Sequence, residues 1–270
     1  MSTFTSLGCI GGGQMAEALI RGILSAGLLA PQQIYVKEPN PERMASLREN
    51  YSVQAVADEA ELCSRSRVLL VAVKPQVAKA VLGAYAPHLS SGHLLISIMA
   101  GISLANLRQF AGEQVRLIRA MPNTAALVLA GATAFSPAAS ADQDDCRLAQ
   151  AIFDAVGSGL EMPEQQLDAV TGLSGSGPGY VFTFLEALID GGVLAGLPRP
   201  AAEELALQTL YCSAKLALES REHPAVLKGR VTSPGGTTIA GIQALEQGAF
   251  RGLVMDAVQK ASQRSQELGG

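Results

Sequence analysis

The segment SLGCIGGGQMAEALIRGIL, residues 6–24, decides the fold of this chain. A short apolar run, Leu7–Ile10, leads directly into Gly11-x-Gly13-x-x-Ala16, and apolar residues then recur at helical spacing. In a strand–turn–helix of this kind the first glycine makes the tight turn and the second lets a pyrophosphate approach the backbone. The small third residue lets helix and strand pack closely. The segment therefore predicts a dinucleotide site at the first βα turn of a doubly wound sheet.

The first 160 residues repeat this alternation of short apolar runs and longer helical patterns. Strands are predicted at Leu7–Ile10, Ile34–Val36, Val68–Ala72, Leu94–Ile98 and Val115–Arg119, with weaker candidates at Thr133–Phe135 and Gly157–Glu161. Helices are predicted between them, at Met15–Ala26, Pro41–Asn50 and Gln76–Tyr85. This order favours an α/β fold with a parallel, Rossmann-type doubly wound sheet.

From about Asp168 onward only the helical pattern remains. It runs through Val181–Ala195, Arg199–Glu219 and Thr238–Leu268, with turn signals between these stretches. We therefore predict an N-terminal dinucleotide-binding domain, residues 1–165, and an all-helical C-terminal dimerisation domain, residues 166–270. The long apolar faces of the second domain exceed what about 100 residues can bury alone, so burial against a partner chain is expected.

The composition excludes several classes of protein. Of 270 residues, 48% are hydrophobic and 16% are charged, and the net charge is −4 with no basic run, which argues against a nucleic-acid surface. Four cysteines without a C-x-x-C pair, and three histidines without ligand spacing, predict no metal site and a reducing compartment. No segment has the pattern of a membrane span or a signal peptide, so a cytoplasmic protein is expected.

Further residues of the predicted cofactor site follow the ends of other strands, because ligands of open α/β sheets bind beyond the carboxyl ends of the strands. Glu38 follows the second strand, where a carboxylate bonds a ribose 2′-hydroxyl and repels a 2′-phosphate. Its neighbour Lys37 has the opposite effect, so the choice between NADH and NADPH stays open. Lys74 follows the third major strand, and Ala100 and Asn123 follow the next two, toward the nicotinamide end of the crevice.

A second constellation, SPGGTTIAGIQALE, residues 233–246, begins a helix with two adjacent glycines. Gly235 and Gly236 leave the first N–H groups of that helix uncovered, as an anion site requires. The hydroxyls of Ser233, Thr237 and Thr238 add donors and acceptors for a small polar ligand. An ordinary threonine N-cap is the alternative interpretation of the same residues.

Four segments of the chain resemble the Δ1-pyrroline-5-carboxylate reductase family. They are TSPGGTTIAGIQALE, DAVTGLSGSGPGYVF (168–182), AVKPQ and MPNT. The similarity runs over essentially the whole chain. It implies the NADH- or NADPH-dependent reduction of the cyclic imine 1-pyrroline-5-carboxylate to L-proline, the last step of proline biosynthesis. It also implies domain-swapped homodimers, often assembled as decamers of five dimers, in which the 233–238 loop meets the partner's cofactor domain.

The resemblance also assigns roles to residues. Ser233, Gly236, Thr237 and Thr238 are implied to hold the substrate carboxylate and ring nitrogen, which makes the C-terminal domain the substrate-binding one. Cofactor contacts are implied for the glycine-rich turn, for the loop after the third major strand and for Ala100. The residues of the turn and that loop are Ile10, Gly11, Gly12, Gly13, Gln14, Met15, Ala16, Ala72, Val73, Lys74 and Pro75.

Two positions depart from the family's pattern. Members that use NADP often carry a small polar residue where this chain has Glu38, and some relatives have asparagine where Arg230 stands. The first departure bears on selectivity for the 2′-phosphate, and neither changes the glycine-rich or hydroxyl motifs.

The implied chemistry needs little acid–base machinery, because a protonated imine is already electrophilic and the cofactor performs the difficult step. Thr238 is the candidate partner of the ring nitrogen, and either Thr238 or a water delivers the proton. Tyr180 is another possible acid, although the apolar VFTFLEAL that follows it favours a packing role. Two other functions stay open: a 3-hydroxyacid dehydrogenase, for which Lys215 would be the catalytic lysine, and a non-catalytic dinucleotide sensor.

Overall fold

The computed structural model describes residues 4–269, and these form two compact units. The first, the sheet unit, holds the chain up to Ser176 and again from Gln259 onward, while the second, the helical unit, holds Gly177–Val258. The division into functional domains at 165/166 stays a prediction. As packing units, residues 166–176 and 259–269 group with the sheet.

Among the described residues, the sheet unit contains one eight-stranded sheet in the order β3-β2-β1-β4-β5-β6-β7-β8. Its strands are β1 Leu7–Ile10, β2 Ile34–Lys37, β3 Gln54–Ala55, β4 Val68–Val71, β5 Leu94–Ser97, β6 Arg116–Met121, β7 Gly131–Pro137 and β8 Gly157–Glu161. The strand order changes direction between β1 and β4. In open sheets that switch point is where ligands bind.

The α/β, doubly wound fold is confirmed, with one departure from the all-parallel order expected. Strand β7 runs antiparallel to β6, whereas the other neighbouring strands are parallel. The reason is the length of the connection: residues 122–130 hold only the short 3₁₀ turn Thr124–Val128. A parallel crossover needs a dozen or more residues, so the chain can only turn back on itself here.

Helices cover both faces of the sheet. They are α1 Gln14–Ser25, α2 Pro41–Tyr51, α3 Glu59–Arg65, α4 Ala78–Tyr85, α5 Leu104–Ala111, α6 Gln143–Asp154 and the short α7 Leu167–Val170. One buried cluster joins strand residues such as Cys9 and Leu70 to α1, α2 and α6, and the other joins Ile10 and Leu69 to α3, α4 and α5. Because successive strand residues face opposite sides, strands buried on both sides appear in the sequence as continuous apolar runs.

Several short elements were not predicted from periodicity. Strand β3 has two residues, and α3 and α5 have seven and eight. These two helices are fixed by caps, with the Asp58 side chain accepting from the Glu61 N–H and the Ser103 hydroxyl from the Asn106 N–H. Two turns of helix carry too little periodic signal to be recognised, since such helices depend on tertiary packing.

The end of β6 carries a buried ion-pair network that joins three segments of the sheet unit. Arg119, 6% exposed, pairs with Glu164 at 3.2 Å and with Asp168 at 3.4 Å. Asp168 also accepts a 2.7 Å hydrogen bond from the Ser265 hydroxyl. Buried charge is costly unless it is paired, so these bonds fasten residues 164–168 and the C-terminal segment to the sheet.

The helical unit consists of α8 Gly177–Leu194, α9 Arg199–Ser220, α10 Pro224–Arg230, α11 Thr237–Gln247 and the first part of α12 Phe250–Gly269. The helical character predicted for Val181–Ala195 and Arg199–Glu219 is confirmed. The stretch Thr238–Leu268 is two helices rather than one, because Ala249 adopts a left-handed conformation with φ 54° between α11 and α12. Helix α10 was not predicted.

Many large apolar side chains of the helical unit are exposed. Phe182 on α8 and Leu218 on α9 are 64% and 78% exposed. An apolar groove within the same unit is lined by Tyr180, Phe184, Leu188, Phe250 and Val254. Contiguous apolar surface of this kind marks an interaction site. In the part of the chain that is described, no helix combines the length and apolar character needed to cross a membrane.

Candidate active site

The carboxyl ends of five parallel strands meet at one edge of the sheet. Strand β1 ends at Ile10, β2 at Lys37, β4 at Val71, β5 at Ser97 and β6 at Met121. The cofactor residues predicted from the sequence lie at these strand ends or within the first residues after them. The fold therefore brings the predicted residues of the sheet unit to the same edge, where β1 and β4 form the switch point.

The glycine-rich turn, Gly11–Gly13, has a first position that only glycine suits. Gly11 has φ 93°, and a Cβ atom there would lie 2.8 Å from the Ala72 carbonyl oxygen and 3.0 Å from Val73 Cγ1. Ala72 and Val73 thus pack directly against the turn. In the first turn of α1, Ala16 is completely buried, so the close packing of helix and strand that the motif predicts is present.

The third glycine of the turn leaves the start of α1 open. Gly13 is the N-cap of α1, has φ −64° and offers no capping side chain, and a Cβ atom there would meet no atom within 4 Å. Gly13 and Gln14 are exposed and Met15 is half-buried. The uncovered N–H groups and the positive end of the helix dipole make this helix start suitable for an anion.

The Glu38 carboxylate is held in place beside the turn. Its Oε2 accepts a 2.7 Å hydrogen bond from the Gly12 N–H, and its Oε1 accepts a 2.9 Å bond from the Asn40 N–H. Each oxygen keeps a second lone pair, so the carboxylate can also accept bonds from ribose hydroxyls. Lys37 is directed elsewhere, because its Nζ donates to the Ala57 carbonyl at 3.0 Å and lies 3.4 Å from Glu59.

The remaining cofactor residues predicted from the sequence differ in their surroundings. Lys74 is exposed, and Pro75 begins a 3₁₀ turn directly after it. Ala100 is exposed in the loop that follows β5. The Asn123 side-chain oxygen accepts a 3.2 Å bond from the Ala132 N–H, so this residue also stabilises the connection between β6 and β7.

Three residues beneath the turn were missed by sequence reasoning. The Arg43 Nε donates a 2.6 Å hydrogen bond to the Gly12 carbonyl, and its guanidinium pairs with the Glu17 carboxylate. The Tyr51 hydroxyl donates to the same carboxylate at 2.9 Å. These contacts join α1 to α2 and form no local motif, so only the folded structure reveals them.

The charges around Glu17 determine its protonation. Burial alone would raise the pKa of the Glu17 carboxyl, but the hydrogen bonds from Arg43 and Tyr51 and the positive charges of Arg43 and Arg21 lower it below its usual range. Burial and the bond to Glu17 raise the pKa of Tyr51. Near neutral pH the cluster therefore holds a carboxylate, a guanidinium and a neutral phenol.

In the helical unit, the Ser233–Thr238 loop forms an uncapped helix start. The N-cap of α11 is Gly236, which has no capping side chain, and Gly235 before it has φ 68°. The interpretation of this segment as a threonine N-cap is therefore wrong. A Cβ atom on Gly236 would overlap the Ser233 hydroxyl oxygen, so the loop is closely packed at this point. Thr238 is half-buried.

Comparisons with known proteins assign the chain to a family. Residues 164–268 match the family model described as pyrroline-5-carboxylate reductase dimerisation, and residues 6–101 match the model described as NADP oxidoreductase, coenzyme F420-dependent. A pyrroline-5-carboxylate reductase of Synechocystis sp. is 49% identical over 263 residues, which cover 97% of this chain and 98% of that protein. The chain belongs to the pyrroline-5-carboxylate reductase family.

Solved structures of the pyrroline-5-carboxylate reductase family have the same fold. The reductase of Coxiella burnetii matches with a TM-score of 0.94 and 34% identity, covering 99% of this chain and 100% of that one. The reductase of Plasmodium falciparum, whose crystal structure has NADP bound, matches with a TM-score of 0.89 and 33% identity over 98% of both chains. The family resemblance carried by the four sequence segments is thereby confirmed.

In this pyrroline-5-carboxylate reductase family member, Tyr180 and Lys215 have contacts that bear on the roles weighed for them from the sequence. The Tyr180 hydroxyl donates to the Ala257 carbonyl at 3.3 Å beside the apolar groove, which supports its packing role. Lys215 lies 3.7 Å from Glu219 on the same helix. The family of the chain, and not the surroundings of this residue, leaves the dehydrogenase alternative without support.

Proposed function

We propose that the protein reduces 1-pyrroline-5-carboxylate to L-proline with NADH or NADPH, the last step of proline biosynthesis. The observation that carries the proposal is the uncapped start of α11 at Gly236, flanked by the hydroxyls of Ser233, Thr237 and Thr238. A non-catalytic family member that only binds a dinucleotide at the Gly11–Gly13 turn would not need a second anion site at the start of α11. Its presence supports an enzyme rather than a dinucleotide sensor.

The residues of the sheet edge fit a dinucleotide. Gly11 makes the turn that no other residue fits, and the open space at Gly13 leaves room for a pyrophosphate against the start of α1. In this proposal the cofactor is held by Ile10 to Ala16, Glu38, Ala72 to Pro75, Ala100 and Asn123. A bound nicotinamide cofactor supplies the hydride, and the protein binds and orients the reactants.

The Ser233–Thr238 loop is proposed to bind the substrate. The N–H groups at the start of α11 and the Ser233 and Thr237 hydroxyls hold the substrate carboxylate, because a helix N-terminus favours negative charge. The Thr238 hydroxyl bonds the ring nitrogen and so fixes the orientation of the imine carbon. Orientation of this kind lowers the barrier by converting a bimolecular step into an intramolecular one.

The Thr238→Ala substitution tests this assignment. A hydrogen bond to a charged group contributes about 1.5–3 kcal/mol, so kcat/KM for reduction of pyrroline-5-carboxylate should fall roughly 10- to 150-fold. Initial rates with NADH and NADPH, followed by loss of nicotinamide absorbance, measure the change.

Thr209→Ala is the matched control, because within the described residues that hydroxyl donates to the Leu205 carbonyl of its own helix. It should keep the kinetics of the unmodified protein. Unchanged kcat/KM in Thr238→Ala would assign Thr238 a structural role and leave the ring nitrogen to another partner. No turnover of the imine by the unmodified protein would overturn the proposed function itself.

The assembly is proposed to be a homodimer, arranged as a decamer of five dimers, in which the Ser233–Thr238 loop of one chain meets the cofactor domain of its partner. The match of residues 164–268 to a dimerisation family supports the dimer. So does the exposed apolar surface of the helical unit, since burying it contributes about 25 cal/mol per Å². The cytoplasm is the proposed location, supported by four unpaired cysteines.

Sedimentation analysis tests the dimer. We expect at least twice the mass of one chain, and Phe182→Asp on α8 should lower that mass and the activity together, because a charge then lies in the apolar interface. Leu160→Asp on the edge strand β8 is the matched control, since Leu160 is 58% exposed in the sheet unit. A fully active monomer of the unmodified chain would contradict the shared site.

A further inference from the structure

The backbone of Gly12 is bonded by two charged side chains. Its N–H donates to Glu38 at 2.7 Å and its carbonyl accepts from the Arg43 Nε at 2.6 Å. Glu38, just after β2, and Arg43, in α2, therefore bond the two consecutive peptide groups that meet at Gly12. In dinucleotide-binding sheets this is where the adenosine ribose is recognised, by an acidic residue for a 2′-hydroxyl and by a nearby arginine for a 2′-phosphate.

Arg43 and Lys37, the cations nearest in sequence to Glu38, are already engaged. Arg43 pairs with Glu17, whose other oxygen accepts from Tyr51, and both Arg43 and Glu17 are partly buried. Lys37 is bonded to the Ala57 carbonyl and pairs with Glu59. A 2′-phosphate entering here would meet the Glu38 carboxylate directly. It would also have to compete with Glu17 for the guanidinium.

We propose that the Glu17–Arg43 ion pair, together with Glu38, selects NADH over NADPH. Glu38 bonds the ribose hydroxyls and repels a phosphate, while Glu17 withholds Arg43 from it. The proposal rests on the proposed function only in taking the glycine-rich turn as a nicotinamide dinucleotide site. The family model that matches residues 6–101 and the structure of the Plasmodium relative both name NADP. The preference for NADH is therefore proposed for this chain alone, from its own Glu17, Glu38 and Arg43.

The preference for NADH over NADPH should therefore be lost in two steps, one for each carboxylate that is removed. Removing the Glu38 charge ends the repulsion of the phosphate but leaves Arg43 engaged. Neutralising Glu17 as well frees a guanidinium that is preorganised for a phosphate through its bond to the Gly12 carbonyl, and arginine binds phosphate in a bidentate manner. The two changes should therefore act together to tighten NADPH, whereas NADH should lose the bond from Glu38 to its ribose at the first step and change little at the second.

The test measures dissociation constants of NADH and NADPH by titration, without substrate, so that it does not depend on catalysis. The unmodified protein should bind NADH at least about 10-fold more tightly than NADPH. Glu38→Ser should reduce that ratio about 10-fold. Glu17→Gln added to Glu38→Ser should tighten NADPH about 10-fold further, each step corresponding to one neutralised charge contact.

Arg43→Met placed in the Glu17→Gln/Glu38→Ser background identifies the partner of the phosphate. It should abolish the second gain in the preference for NADPH, whereas losing the bond from Arg43 to the Gly12 carbonyl should affect NADH and NADPH equally. If the gain persists without Arg43, or if the unmodified protein prefers NADPH, the proposal is overturned.

Two further measurements distinguish a variant that does not fold, a wrong selectivity proposal and a wrong proposed function. Glu17→Gln preserves the shape of the side chain and its acceptor for Tyr51, but if the double variant does not fold, Glu17→Gln alone replaces it. That single change releases Arg43 while Glu38 still repels the phosphate, so it should tighten NADPH by a smaller factor, and no tightening would overturn the proposal. A protein that binds neither dinucleotide would instead contradict the proposed function.

Discussion

Replacing Gly13 with valine is expected to weaken the binding of NADH and NADPH by about 10²- to 10⁴-fold while leaving the fold intact. Gly13 has an ordinary extended conformation, and a Cβ atom there has open space around it, so the chain itself tolerates a side chain. The cofactor would not, because its pyrophosphate must approach the start of α1 at this point. Losing two hydrogen bonds to charged groups, at about 1.5–3 kcal/mol each, gives this range.

The measurement pairs dinucleotide titration with thermal unfolding. Gly83→Val is the matched control, since Gly83 on α4 also has open space for a Cβ atom and a non-positive φ, and it should bind both dinucleotides normally. The contrast with Gly11 is informative, because a side chain at that position would strain the turn and lower the stability too. Normal NADH binding by Gly13→Val would show that the pyrophosphate does not lie against α1.

The second large effect is expected at Gly236. A valine there would displace the Ser233 hydroxyl and cover the first N–H groups of α11, so two proposed contacts of the substrate carboxylate would be lost together. At about 1.5–3 kcal/mol each, kcat/KM for pyrroline-5-carboxylate should fall about 10²- to 10⁴-fold, mostly through a higher KM. Dinucleotide affinity should not change, because the cofactor residues belong to the sheet unit.

Gly229→Val, in helix α10 just before this loop, is the control for the effect of a bulky side chain, since a Cβ atom at Gly229 meets no neighbour. It should keep kcat/KM near that of the unmodified protein. If Gly236→Val retains normal KM for the imine, the carboxylate is bound elsewhere and the start of α11 is only a structural feature.

The features predictable from the sequence were those with a local steric or periodic cause. The Gly11–Ala16 motif depends on a positive φ and on close packing, which few residues satisfy, and the strands are continuous apolar runs because both faces of the sheet are buried. The features that were not predicted carry no periodic signal. The antiparallel β7 follows from a short connection, and the break between α11 and α12 lies at the left-handed Ala249, directly after Gly248, the C-cap of α11.

The same division holds for the candidate site. Glu38 was found because its position after β2 is a recurring one, whereas its bonds to Gly12 and Asn40 were not foreseeable. Arg43, Glu17 and Tyr51 come together across sequence separations of 26 and 34 residues, on helices whose relative placement only the fold determines. Charged residues in the first turn of a helix, such as Glu17 and Arg43, are usually solvated, and Tyr51 at the end of α2 has no motif around it, so none of the three is recognisable from the sequence.

The sheet unit is built from two stretches of chain, and all of Gly177–Val258 lies between them in the sequence. This separation affects the order in which the unit can fold during synthesis. Ribosomes add about 5–20 residues per second, so several seconds pass between the synthesis of Ser176 and that of the segment carrying Ser265. During that interval Asp168 has Arg119 as a partner but lacks the hydroxyl that completes the buried network. The nascent sheet unit therefore cannot complete its packing until the last part of α12 has emerged from the ribosome, and the surface that this segment covers is exposed until then.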